Sequence, residues 1–180
     1  MSHPQPTPDQ AKFALGVSLA SFTVEHQTTR RVIDAIPADR GDYRPDGVAR
    51  TALDLAWHIV ASEKRFLTSV AAGVFDTTPM PRPDSITTAA AIGPWFDESF
   101  ASSVRALQGL SGEQLTKVID FRGLFQLPAV SFVPLALNHT IHHRGQLSMY
   151  LRPMGAKVPS IYGESYDASQ ARLAKEGKLG

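Results

Sequence analysis

The chain has 180 residues and a net charge of +1 with histidines neutral. That length suits one domain with a single good core, and so small a charge gives no electrostatic reason to expect nucleic acid or a membrane surface as partner. Cysteine is absent, which excludes disulfides and protein thiols and leaves only nitrogen and oxygen to hold a metal.

No apolar run approaches the roughly 20 residues that span a bilayer. The start, MSHPQPTPDQ, lacks the basic and apolar stretches of a secretory signal, and the cytoplasm is the expected compartment. Residues 1–6 carry two prolines and read as a loose tail, with His3 in solvent. Thr7-Pro8-Asp9-Gln10 reads as a helix start: Thr7 is an N-cap, Pro8 suits the first helical position and Gln10 completes a capping box. Phe13, Val17, Ala20 and Val24 recur at helical spacing, and Val32, Ile33 and Ile36 continue the stripe. The first helix is therefore predicted from about Thr7 to Ile36. His26 on it is expected at the surface.

Pro37 to Arg50 is glycine-rich, proline-bearing and charged, and reads as a loop. Thr51 can cap a second helix, with Leu55, Ile59, Ser62 and Phe66 on one face and Gly73 as its C-terminal cap. His58 falls at the edge of that face. Its simplest role is a hydrogen-bonded core histidine beside Trp57. Residues 73–91, with Pro79, Pro81 and Pro83, are too long for a tight hairpin and predict a crossover connection.

A third helix is predicted from near Pro94, with Asp97 and Glu98 at its positive end and Gly109 after it. Phe96, Phe100, Val104 and Leu107 supply its apolar face. Ser111 to Gln114 reads as a capping box for one short turn, and Val118 to Phe121 fits either a short strand or an irregular segment. The fourth helix is predicted to begin between Pro128 and Pro134 and to stop at Arg152, before Pro153. Four long helices without convincing strands predict an all-α four-helix bundle. Residues 1–180 form one domain, with 155–180 as a C-terminal extension.

Within the fourth helix, NHTIHHRGQLSMY holds three of the six histidines. His139 and His143 are one turn apart on one face, so two imidazoles can grip one ion. His142 lies three residues from His139 and can stand in for His143; His143 is preferred because it shares a face with Leu147 and Tyr150. A third ligand must come from another segment. His58 is the better candidate and His26 the weaker. Arg144 reads most simply as an ion-pairing or carbonyl-capping residue.

The segment His139-x-x-x-His143-Arg144-Gly145-Gln146, followed by Tyr150-Leu151-Arg152-Pro153-Met154-Gly155-Ala156-Lys157-Val158-Pro159-Ser160-Ile161-Tyr162-Gly163, resembles the closing segment of the DinB/YfiT-like proteins. Ile36-Pro37 with Tyr43-Arg44-Pro45 resembles their first interhelical loop, and His58 falls where they carry a histidine on the second helix. The resemblance implies a bundle of up-down-down-up order, commonly a homodimer. It also implies a divalent metal, nickel or zinc, held by His58, His139 and His143. Members of that family include metal-dependent transferases that act on small molecules with thiols such as bacillithiol or mycothiol, a maleylpyruvate isomerase among them. A thiol cosubstrate agrees with a chain that has no cysteine. A hydrolase using a metal-activated hydroxide, and a non-catalytic metal-binding stress-response protein, are the alternative readings.

Overall fold

A computed structural model describes residues 5–178. The expectations for the first four residues, His3 in solvent included, lie outside it. The described chain is mostly helical: α1 (Pro8–Asp34), α2 (Ala52–Ala72), α3 (Ala89–Gln108), α4 (Gly112–Thr116), α5 (Phe132–Leu151) and α6 (Tyr166–Lys175). A short antiparallel hairpin, β1 (Val118–Phe121) and β2 (Phe125–Pro128), corrects the all-α expectation. The ambiguous segment at 118–121 becomes a strand because Phe125 to Pro128 supplies an edge to pair with, Val118 facing Pro128 and Phe121 facing Phe125.

Local chemistry sets the helix ends. Thr7 accepts from the Gln10 backbone N–H while the Gln10 side chain accepts from the Thr7 N–H, so both halves of the capping box form. Thr51 caps α2, and Gly73 closes it in the left-handed conformation that glycine adopts without a Cβ clash. Pro134 is the third residue of α5, where its missing N–H costs no helical hydrogen bond. The third long helix departs from expectation. It begins at Ala89, so Pro94 lies inside it. Three alanines favour helix upstream, and burial of Ala89 and Ile92 offsets the hydrogen bond that the proline removes.

The face of α1 also differs. Its core stripe is Ala11, Leu15, Leu19, Phe22, His26, Thr29 and Ile33, whereas Phe13, Val17 and Val24 are 76%, 53% and 64% exposed. The helix therefore has two apolar stripes, and it is the buried one, not the one through Phe13, Val17 and Val24, that runs on into Val32 and Ile33.

α2 packs against α5 and α3, and α1 packs against the same two helices. The core falls into two apolar clusters. One is built from Trp57, Ile59, Phe96 and Leu151; the other from Phe22, Phe66, Leu107 and Phe132. His26 and Thr29 of α1, Glu63 of α2, and Thr140 and Arg144 of α5 are among the buried polar residues of the interior. Arg144 donates to the Glu25 carboxylate and, at 2.7 Å, to the Tyr162 hydroxyl, so it ties the C-terminal extension to α1 as the ion-pairing residue expected. α6 lies within that extension, started by Ser165, whose side chain accepts from the Ala168 N–H.

Candidate metal centre

α5 sets two neighbouring rows of side chains. Thr140, Arg144, Leu147 and Leu151 point inward, and His139 and His143 lie beside them, half buried. α2 supplies His58 in the same way, between the buried Trp57 and Ile59. Packing of α2 on α5 then brings the three rings together. Centroids lie 5.1 Å apart for His58 and His139, 4.6 Å for His58 and His143, and 4.4 Å for His139 and His143.

One nitrogen from each ring lies within 4.8 Å of the others, so the group can hold a metal ion. His58 Nε2 and His143 Nε2 are 3.2 Å apart. Two ligands about 2.0 to 2.1 Å from one ion, at tetrahedral or octahedral angles, are separated by about 2.8 to 3.4 Å. The observed spacing falls inside that range. The protons agree. His143 Nδ1 donates to Gln146 Oε1 at 2.7 Å, and the Gln146 amide nitrogen donates to His142 Nε2 at 3.2 Å. A donating Nδ1 leaves Nε2 as a bare lone pair directed at His58. His139 Nδ1 is buried without a hydrogen-bond partner, a shortfall typical of a site whose charge partner is an ion.

The electrostatics favour neutral rings. Burial pushes His58 down to about 4, with Arg50, His143 and Arg65 adding to the fall. Burial likewise pushes His139 down to about 4, and the neighbouring His143 and His58 act in the same sense. His143 is lowered by burial and partly held up by Gln146. Neutral imidazole is the form that ligates.

His142, the alternative to His143, is exposed and turned to Gln146. His26 is not at the surface as expected. It is 7% exposed, stacked on Phe100 at 4.2 Å, with Nε2 at 3.0 Å from Asp97 Oδ1. It belongs to a separate buried cluster with Glu63, whose Oε1 lies 3.7 Å from His26 Nδ1. The stacking neighbours Phe96 and Phe100 lie on another helix, and the sign that α1 itself carries is the place of His26 in line with Leu15, Leu19, Phe22 and Ile33. The sequence places Ser62 only on the apolar face of α2 and Gln146 only within the motif that follows His143. Their spacing offers a signal, Gln146 three residues after His143 and Ser62 four after His58, and Ser62 Oγ lies 3.5 Å from His58 Nδ1.

The family model described as "DinB family" matches residues 8–177. Two Bacillus subtilis proteins described as uncharacterized are similar: YjoA, 26% identical over 139 residues, covering 76% of this chain and 88% of YjoA, and YrdA, 27% identical over 146 residues, covering 81% and 86%. Among solved structures, the DinB-like protein YjoA of Bacillus subtilis superposes with a TM-score of 0.66 at 23% identity, over 82% of this chain and 99% of that one. A DinB-like protein of Bacillus cereus superposes with a TM-score of 0.68 at 29% identity, over 81% and 95%.

Proposed function

The chain belongs to the DinB family, and on that premise we propose that His58, His139 and His143 hold one divalent ion, nickel or zinc, in a transferase that uses a low-molecular-weight thiol. The observation that carries this reading is the convergence of three neutral imidazoles in a chain without cysteine. When bound, the ion supplies a Lewis acid that lowers the pKa of a thiol or water beside it. The protein's own groups hold and orient. Gln146 fixes the tautomer of His143, Ser62 supports His58, and Phe66, 5.8 Å from the His139 ring, keeps water from that side. The thiol arrives with the cosubstrate. Its sulfur bonds to an electrophilic carbon of a small molecule, whose leaving group departs with the bonding pair and is balanced by the thiol proton.

A hydrolase needs a general acid or base beside the histidines. The buried carboxylate on the same helix, Glu63, is turned instead to Thr140 and His26, which favours the transferase. The same proposal takes residues 1–180 as one domain, an up-down-down-up four-helix bundle that works as a homodimer. No helix among the described residues is long and apolar enough to cross a membrane.

The test uses untagged protein with metal content measured by elemental analysis. Bacillithiol, mycothiol and glutathione are screened against electrophiles such as monochlorobimane. Turnover above the metal-free background with at least one thiol is the expected result. Metal-loaded protein that turns over none of them overturns the transferase.

A further inference from the structure

Among the described residues, two polar contacts between side chains join α2 to α5. One lies within the histidine cluster, His58 Nε2 at 3.2 Å from His143 Nε2. The other is buried: the Thr140 hydroxyl donates to Glu63 Oε2 at 3.2 Å, with Thr140 0% and Glu63 2% exposed. Otherwise the two helices meet through the apolar clusters, to which α2 gives Ile59 and Phe66 and α5 gives Leu147 and Ala136. Apolar contact has no direction and lets one helix slide on another, whereas a hydrogen bond demands a length and an angle.

The pair sits beside the ligands. Thr140 directly follows His139 on α5, and Glu63 is five residues beyond His58 on α2, about 7.5 Å along the axis. The Glu63 carboxyl is faced from two further helices. Its Oε1 lies 3.7 Å from His26 Nδ1 of α1, and His26 Nε2 lies 3.0 Å from Asp97 Oδ1 of α3, where Asp97 pairs with Arg30. One buried polar junction therefore takes a side chain from each of the four long helices. Such burial is costly, and an apolar pair of similar volume would fill the same space at lower cost. What the polar pair adds is a fixed register.

We propose that Thr140 and Glu63 are positioning residues, whose hydrogen bond holds α2 and α5 in the register at which His58 meets His139 and His143. A constellation of ligands must be held to within about 0.5 Å, so a slide of that size between the two helices opens the cluster. Neither residue touches the ion; each acts through the helix that carries it. The proposal deepens the metal-site reading and rests on it for what the cluster binds. The register itself is a property of the metal-free protein.

The experiment titrates cobalt(II) into untagged, metal-free protein, following its visible absorption, and records the imidazole nitrogen signals of the metal-free protein by NMR. Wild type is compared with T140V, T140S, E63M, E63Q and G112A. T140V and E63M break the bond and are expected to bind cobalt about tenfold or more weakly. T140S keeps the hydroxyl and E63Q keeps an acceptor oxygen, so both should stay within about twofold of wild type. Gly112 abuts Pro8 of α1, so G112A strains the fold away from α2 and α5 and should bind cobalt as wild type does. In the metal-free protein, T140V should move the signals of His58, on the other helix, and E63M those of His139 and His143. Wild-type affinity in T140V overturns the proposal, and so do equal losses in T140V and T140S. A loss in G112A as large as in T140V also overturns it, because affinity would then follow stability alone. If wild type binds no cobalt, the metal-site reading fails and the NMR signals decide the register, an unmoved His58 in T140V overturning it. Each partner of the bond has its own pair of variants, so one that fails to fold leaves the other pair to decide.

Discussion

His58→Ala, His139→Ala and His143→Ala are each expected to lower metal occupancy sharply, because each removes one of three converging nitrogens. His142→Ala is expected to retain the metal, since that ring is exposed and reaches only Gln146. Elemental analysis of the four untagged variants checks this, and retention by His58→Ala would place the third ligand elsewhere. Glu63 behaves differently. It is 2% exposed, and burial raises its carboxyl above 4.5, opposed by His26 and the Thr140 hydroxyl. A carboxyl raised in the folded state binds its proton more tightly there, so its contribution is present below pH 4.5 and is lost as pH rises through the folded value. Glu63→Gln lacks that loss and can donate its amide to the unpartnered His26 Nδ1. Urea unfolding should show the variant gaining on wild type as pH rises above 4.5, by about 1 kcal/mol or more. A variant that loses ground as pH rises would mean an ion pair with His26 instead. The sequence discloses His139 and His143 through their i, i+4 spacing, because one helix fixes that relation. It discloses the environment of His26 and Glu63 poorly, because the neighbours of each come from two other helices.

At the level of elements, what could be read in advance were the ends set by local chemistry: the Thr7 and Ser111 capping boxes, the Thr51 cap, Gly73, and Pro134 in a first turn. What could not be read were outcomes of tertiary competition. α3 runs through Pro94 because burial of Ile92 outweighs one lost hydrogen bond, and β1 exists because β2 pairs with it. α6 follows from the Ser165 cap but has no buried residue to mark it. A further close contact joins α4 to the start of α1. A Cβ on Gly112 would lie 2.5 Å from Pro8 Cβ and 2.6 Å from the Pro8 carbonyl oxygen, and backbone cannot swing aside as a side chain would. Gly112→Ala is therefore expected to cost about 1 to 3 kcal/mol by chemical denaturation. Gly145→Ala, with nothing within 4 Å of the new Cβ, is expected to show no such loss.

On the scale of the whole molecule, the four long helices bury two apolar clusters, yet α1 keeps a second apolar stripe outside both. Phe13, Val17, Ala20 and Val24 are spaced four, three and four, the repeat by which two helices pack at a shallow angle. Gly16 sits beside them, and a Cβ there would meet nothing within 4 Å, so another helix can approach closely. The occupant that fits is a second copy of the chain, α1 against α1, since one stripe then covers another of the same chemistry. Sedimentation velocity at micromolar concentration is expected to show a dimer. Phe13→Glu with Val17→Glu is expected to give a monomer with unchanged helical circular dichroism, because neither side chain contributes to the core. The three histidines come from α2 and α5, so metal occupancy in that monomer should equal that of wild type. A wild-type monomer would remove the dimer. A dimer that survives both substitutions would move the interface to another face and leave the exposed stripe of α1 without a partner.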